Sequence, residues 1–491
     1  MTSILHRRSA ALPLACALAA ALHLVACAND SAPAPVADAL SPDDLNLVFV
    51  VTPDLAYQTP GDVSPATGNL TSQGLQRSLK LATYLKHQVL GDRNVTRIYG
   101  LQPMTHLQTA DQYPDMAALA YIQQFAMLNQ ISLTGGAGYN SPLYTANSSP
   151  LNASPIDPDS EGYALAYQGL EFADASGHNL LLAETILYSN PPGFYVFAAP
   201  WETVSALLTA LDARGHLGLA VPATYGGSNR VLALSVKVSG GATLTSFDAA
   251  LQPPATYPAL PSPVASVACP SATSNPQLFS LPAPNGVAGA SVPPGVNRNQ
   301  TLYMIRHAEA HPWSNWDDGN FVAAGQWRAL AMADALRGKI SPTMVWSNDP
   351  AQAYPGGSFV PGGADFSYVR PSLTVAPYAI ANDLPYRLVS DFQVFSANSP
   401  ADTAAFFFFG GRFSNTTMLM AWEHLHIPAT VTALLQAYFP PGAVPPTPDW
   451  PGADYDTIWT VRLDAAGNLT IDNALCEGID SSKLPATAPP Y

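Results

Sequence analysis

Leu302-Tyr303-Met304-Ile305-Arg306-His307 places four apolar residues ahead of a guanidinium and an imidazole. A guanidinium binds oxyanions through a planar fork of N–H groups, and an unprotonated imidazole is a nucleophile or a proton carrier. The apolar run indicates how both are held: a short buried strand delivering them at its carboxyl end, where open α/β sheets place their ligands. The chain as a whole is acidic, with a formal net charge of −15. That balance argues against nucleic acid or an anionic membrane surface as the main partner. An anionic substrate would need a local cationic pocket, which Arg306 begins to supply.

The elements that position such a site must be spread over a long chain. At 491 residues two or three domains are expected, and 48% hydrophobic residues suffice for full cores. The amino terminus reads as an export segment. His6-Arg7-Arg8 is a basic n-region, Ala10 to Ala26 an apolar h-region, and Leu24-Val25-Ala26-Cys27 resembles a bacterial lipobox that would make Cys27 the lipidated first residue. The alternative is ordinary cleavage and a soluble secreted or periplasmic protein. Cys16 and Cys27 belong to that segment, so Cys269 and Cys476 are expected to form one disulfide in an oxidising compartment. No Cys/His cluster has metal-ligand spacing, and neither a metal nor a cofactor is expected.

The two halves carry one ordered set of patterns. Val48 to Pro53 lies over Leu302 to His307, and Gly68-Asn69-Leu70 with Gly74 and Arg77 lies over Gly319-Asn320-Phe321 with Gly325 and Arg328. Ile98 to Pro103 lies over Val345 to Pro350, and Phe197 to Thr203 over Leu419 to His424. Val236 to Thr245 lies over Val461 to Thr470, two strands about a Gly-bearing hairpin turn. Five blocks in one order predict a tandem duplication, each copy an α/β domain with a mainly parallel sheet.

Arg306-His307-Ala308-Glu309 resembles the RHG/RHxE signature of the histidine phosphatase superfamily, the group that contains phosphoglycerate mutases and histidine acid phosphatases. The resemblance implies attack on a phosphoryl group by the motif's imidazole and a phosphohistidine that water hydrolyses. It makes His307 the nucleophile and Arg306 the first phosphate clamp. The family's second Arg stands four residues before a Thr, a spacing that Arg370 and Thr374 supply, and its second histidine ends another strand, as His424 does in Met418 to His424. Two imidazoles and two guanidiniums suit a phosphate dianion and its transition state. Glu309 and Glu423 are equal candidates for the proton donor, with Asp317 or Asp318 behind them; Leu425 stands where acid phosphatases of the superfamily place an Asp. His311, Trp313, Trp316 and Tyr378 are candidates for the pocket mouth, and His426 for a helix start.

In the first copy the corresponding positions hold Thr52 for Arg306, Pro53 for His307, Thr105 for Arg370 and Thr203 for His424, and Glu202 shadows Glu423. The expected layout is a lipoprotein-type signal peptide over 1–27, a Pro/Ala-rich tether over 28–44, a degenerate histidine-phosphatase-like domain over 45–250, a Pro-rich interdomain linker over 251–299, a catalytic domain over 300–476 and a tail over 477–491. The expected activity is metal-independent hydrolysis of a small-molecule phosphoester at the cell envelope, by a protein whose only membrane contact is its lipid anchor. The rival is a non-catalytic phosphate-binding scaffold.

Overall fold

The computed structural model describes residues 39–55, 61–101, 103–105, 114–133, 143–146, 151–152, 177–269, 279–281, 287–310, 319–348, 350, 353–354, 366–389 and 399–491. The export segment with Cys27, most of the tether, His311, Trp313, Trp316, Asp317 and Asp318 lie outside them.

In chain order the first half runs β1 (Leu45–Thr52), α1 (Ser72–Tyr84), β2 (Arg97–Gly100), β3 (Met104–Thr105), β4 (Pro114–Asp115), α2 (Ala117–Leu128), β5 (Gln130–Leu133), β6 (Leu143–Ala146), β7 (Leu151–Asn152), α3 (His178–Ser189), β8 (Gly193–Pro200), α4 (Trp201–Gly215), β9 (Arg230–Val236) and β10 (Ala242–Asp248). The second half runs β11 (Ser280–Leu281), β12 (Gln300–Arg306), α5 (Ala323–Ala335), β13 (Met344–Asn348), β14 (Ala353–Tyr354), β15 (Phe366–Ser367), α6 (Arg370–Asn382), β16 (Tyr386–Val389), α7 (Ser399–Phe408), β17 (Thr417–Trp422), α8 (His426–Tyr438), β18 (Thr457–Leu463) and β19 (Leu469–Cys476). The described residues thus form a mixed α/β structure with two large sheets and eight α-helices.

The sheets are ordered β10-β9-β1-β8-β2-β7 and β11-β19-β18-β12-β17-β13-β16. Apart from the added β11, each is an antiparallel hairpin followed by four parallel strands. The apolar runs follow from burial on both faces. Leu302, Met304, Met420 and Trp422 pack with Phe407 of α7 and Ile427, Val431 and Leu434 of α8. Each such aliphatic side chain contributes about 1.5–3 kcal/mol by leaving water.

Two helices read as unusual for a surface. Every residue of α2 from Ala117 to Met127 is buried, and so is α6 from Arg370 to Ile380. A helix apolar all round belongs inside. Helix α2 packs on α1, α5 and α6, so the helical layers of the two halves meet each other. Its two central polar residues must then find partners. Gln124 Nε2 donates to the Pro489 carbonyl at 2.7 Å, and Gln123 exchanges two amide hydrogen bonds with Asn320, each 2.9 Å.

The connecting and closing segments are fastened to the second half. Tyr257 Oη donates to the Leu330 carbonyl, β11 extends the second sheet, and Trp327 Nε1 donates to the Thr487 carbonyl. Cys269 and Cys476 are joined, with sulfurs 2.06 Å apart.

Backbone register corrects two pairings drawn from the sequence. Thr52 pairs with Pro200 while Arg306 pairs with Trp422, so the position matching His424 is Glu202 and not Thr203, and Trp201 matches Glu423. The cause is local: β8 runs straight into α4 at Trp201, whereas a turn at Glu423, His424 and Leu425 separates β17 from α8. Arg370 and Thr374 lie on the first turn of α6, but Thr105 lies in the two-residue β3. Arg370 opens α6, as Ala117 opens α2. Neither correction restores a cation to the first half.

Removing the disulfide with Cys269→Ser should lower the unfolding free energy by about 2–5 kcal/mol in denaturant titrations, because a 207-residue loop is left unclosed. Unchanged stability would mean that the link closes nothing the fold does not already hold.

Candidate active site

Parallel pairing brings the ends of β12 and β17 together. The His307 backbone N–H donates to the Trp422 carbonyl at 2.9 Å, so Arg306 and His307 emerge beside Glu423 and His424. All except His424 are more than nine-tenths buried, His424's side chain being about one-fifth exposed.

His307 Nδ1 lies 2.7 Å from the Ala308 carbonyl oxygen. A carbonyl only accepts, so Nδ1 carries the proton and the lone pair sits on Nε2. Burial, then the Arg370 and Arg306 guanidiniums, hold this imidazole well below its ordinary pKa. It is therefore neutral at pH 7, the form in which it is nucleophilic. Tyr368 and Tyr455 stand near the ring at 6.4 and 6.1 Å between centroids.

The local geometry accounts for the Arg370-to-Thr374 spacing. Thr374 Oγ1 donates to the Arg370 carbonyl, four residues back on α6, and accepts from the Ala308 N–H, both at 2.8 Å. One hydroxyl thus ties the start of α6 to the loop that orients His307. Arg370 is held by backbone oxygens: its N–H donates to the Gly319 carbonyl at 2.9 Å and its Nε to that of Asn320 at 3.0 Å. Gly319 takes a φ of +74°, which favours glycine there.

Arg306 lies over the Tyr455 ring, 3.9 Å from its centroid, and one terminal nitrogen donates to the Gly452 carbonyl at 2.6 Å. Its buried Nε has no partner among the described residues. An unmet buried donor is costly, and an oxyanion would relieve it.

The two glutamates differ in their commitments. Glu423 Oε1 lies 2.5 Å from His424 Nδ1, and Oε2 accepts from the Leu425 and His426 backbone N–H groups and lies 3.0 Å from His426 Nδ1. Burial pushes this carboxyl up, but the two imidazoles outweigh it and hold it well below the usual carboxylate range. Glu309 Oε1 accepts from Arg328 Nε and from Ser481 Oγ, both at 2.8 Å, while Oε2 is buried with no partner among the described residues. His426 stacks on Trp422 at the start of α8, and Tyr378 is buried in the packing of α6 rather than at a mouth.

Sequence reasoning missed Arg328, Asn320 and Tyr455. Arg328 is fully buried and donates to Glu309, Glu477, Ser481 and the Ile479 carbonyl. Its signal was available in the pattern shared by the two halves of the sequence: Arg77, which that pattern sets over Arg328, is also buried and pairs with Asp62 at 2.7 Å. Nothing local marked Asn320 or Tyr455, whose roles depend on distant segments.

No family model matches this chain, and no curated protein matches it. Solved structures that it resembles include a phosphoglycerate mutase from Plasmodium falciparum (12% identity, 40% of this chain and 99% of that one, TM-score 0.25), the protein histidine phosphatase SixA complexed with tungstate (16%, 35% and 97%, 0.23) and a mycobacterial glucosyl-3-phosphoglycerate phosphatase (15%, 36% and 98%, 0.23). These neighbours are histidine phosphatase superfamily members. At such TM-scores the likeness bears no weight for what this chain does.

Beneath the site one guanidinium faces three carboxyls, since Asp456 lies 3.6 Å from Arg328 beside Glu309 and Glu477. Burial, opposed by Arg328 and reinforced by Asp456, pushes Glu477 up to about 8 from an ordinary value of 4.5. A carboxyl raised on folding favours the native state below its unfolded pKa, and that contribution is lost as pH rises through the folded value. Between pH 4.5 and 8 the melting temperature of Glu477→Gln should therefore fall less with rising pH than that of the native chain. Parallel pH profiles would place the proton elsewhere.

Proposed function

We propose that this chain is a phosphomonoesterase acting through a phosphohistidine on His307. The observation that carries the reading is a buried imidazole with its proton fixed on Nδ1 and its Nε2 lone pair free, near two guanidiniums. Nε2 attacks phosphorus, the N–P bond forms and the ester P–O bond breaks, its electron pair leaving with the alcohol oxygen. Water then attacks phosphorus, giving its proton to the carboxylate that protonated the leaving oxygen in the first step; the N–P bond breaks, its electron pair returning to Nε2, and phosphate leaves with the site restored. Arg306, Arg370 and His424 hold the non-bridging oxygens, the charge that phosphoryl transfer asks an enzyme to stabilise. These side chains supply the cationic charge without a metal.

The donor of the leaving oxygen's proton is Glu309 in this reading. Glu423 is held ionised and orients His424 through Nδ1, while Glu309 keeps one uncommitted oxygen. The first half is a degenerate copy from a tandem duplication, supported by the matching strand order and the absence of cations at Thr52 and Pro53. Export and lipidation at Cys27 rest on the amino-terminal sequence, with the Cys269–Cys476 link fitting an oxidising compartment.

Phosphate release from aryl and alkyl phosphates, measured with EDTA present, should be lost in His307→Ala. Because His307 acts unprotonated and its pKa lies well below 6.5, kcat/KM should hold as pH falls through 6.5. Arg370→Met should cut kcat/KM by about 10²–10³-fold and move the acid limb to higher pH, since one of the charges depressing the imidazole is gone. Phosphate binding without turnover would favour the scaffold reading.

Glu309→Gln should slow alkyl phosphates much more than aryl phosphates, whose leaving oxygens need no proton. Equal losses on both classes would return Glu309 to a purely structural pairing with Arg328.

A further inference from the structure

We propose that Gln123, in the half of the chain without the catalytic residues, is a positioning residue for Arg370; this rests on the reading of Arg370 as a phosphate clamp. Gln123 sits in the middle of α2, 4% exposed, and its amide makes both of its bonds to the side chain of Asn320, 2% exposed. The Asn320 backbone carbonyl accepts from Arg370 Nε at 3.0 Å, and the preceding Gly319 carbonyl accepts from the Arg370 N–H. The Asn320 carbonyl therefore holds the guanidinium and the Gly319 carbonyl the backbone of the same arginine, and a side chain from the other half braces the residue that carries the first of them. The Asn320 Oδ1 also accepts from the Phe321 N–H, so the side chain is braced toward its own loop on one side and toward α2 on the other.

The matching asparagine of the first half does related work. Asn69 Oδ1 accepts from the Met116 N–H at 2.9 Å, at the residue preceding α2, and its Nδ2 donates to the Thr67 carbonyl. Gly68 and Gly319, one residue earlier in each half, both take a φ of +74°. Each asparagine loop thus anchors the start of the second helix of its own half. Among the described residues, only the second half's asparagine reaches into the other half, through Gln123. An amide pair buried between two helical layers, with all four atoms engaged, has one low-energy geometry, because any rotation strands a donor or an acceptor. That rigidity is what a bidentate clamp on phosphate requires, since small misplacements of a binding group are expensive.

The test is calorimetric titration of the full chain with inorganic phosphate, using Gln123→Met, which keeps the volume and removes both hydrogen bonds. Gln124→Met is the companion variant: it removes the neighbouring bond to Pro489, which touches neither Asn320 nor Arg370. We expect phosphate affinity to fall about tenfold in Gln123→Met and to stay unchanged in Gln124→Met, with comparable drops in melting temperature. In an Arg370→Met background, Gln123→Met should add nothing further, because residues acting through one another are not additive. Equal affinity in Gln123→Met and the native chain, or additive losses in the double variant, would overturn the inference and leave the phosphatase reading standing. Native chain that binds no phosphate would remove both. Should Gln123→Met not fold, Gln123→Glu keeps the shape and one of the two bonds, and the same comparison applies.

Discussion

The His307 Nδ1 proton is held by the carbonyl of Ala308, and the geometry of the site follows from keeping that bond in place. Between two guanidiniums and away from water an imidazole stays neutral, but neutrality alone leaves the choice of tautomer open. The carbonyl makes that choice. Thr374 then holds the backbone of the same residue by accepting from the Ala308 N–H, in the peptide unit before that carbonyl, and the same hydroxyl reaches the Arg370 carbonyl. His307 and Arg370, the proposed nucleophile and second clamp, are thereby both tied to the backbone of Ala308 and to one threonine.

Around that centre the carboxyls take separate duties. Glu423 sits between two histidines and caps the start of α8, so it orients His424. Glu309 joins the site to a buried charge cluster in which Arg328 bridges strand β12's loop, helix α5 and the segment after β19. Such a cluster contributes little net stability, but breaking one side of it strands buried charge. Its value lies in fixing the loop after His307. The first half meets this scaffold through the buried face of α2, where a helix without cations lends two glutamines to the other half.

Much of this was legible in the sequence because it is local or periodic. The apolar run before Arg306 specified a buried strand, and the strands among the patterns shared by the two halves fall on β1, β2, β8, β9 and β10 and on β12, β13, β17, β18 and β19. His307, Arg306, Arg370 and His424 are each placed by the end of a strand or the first turn of a helix. Frame errors arose where a strand and a turn trade a residue, as at Pro200 against Trp422, because identity of Trp and Glu outweighed pleat register in the alignment. The duties of Glu309 and Glu423 were not legible, since their partners Arg328, Ser481 and the two imidazoles are chosen by tertiary packing. Gln123 was invisible for the same reason: a glutamine in an apolar helix says only that a partner exists.

The most direct measurement mixes the full-length protein with a phosphomonoester, denatures it in alkali within milliseconds to preserve an acid-labile N–P bond, and maps the phosphoryl group by mass spectrometry. The account predicts a phosphoryl group on His307, present before steady state and absent in His307→Ala. Turnover with no phosphoryl group on His307, or with the label on another side chain, would contradict it.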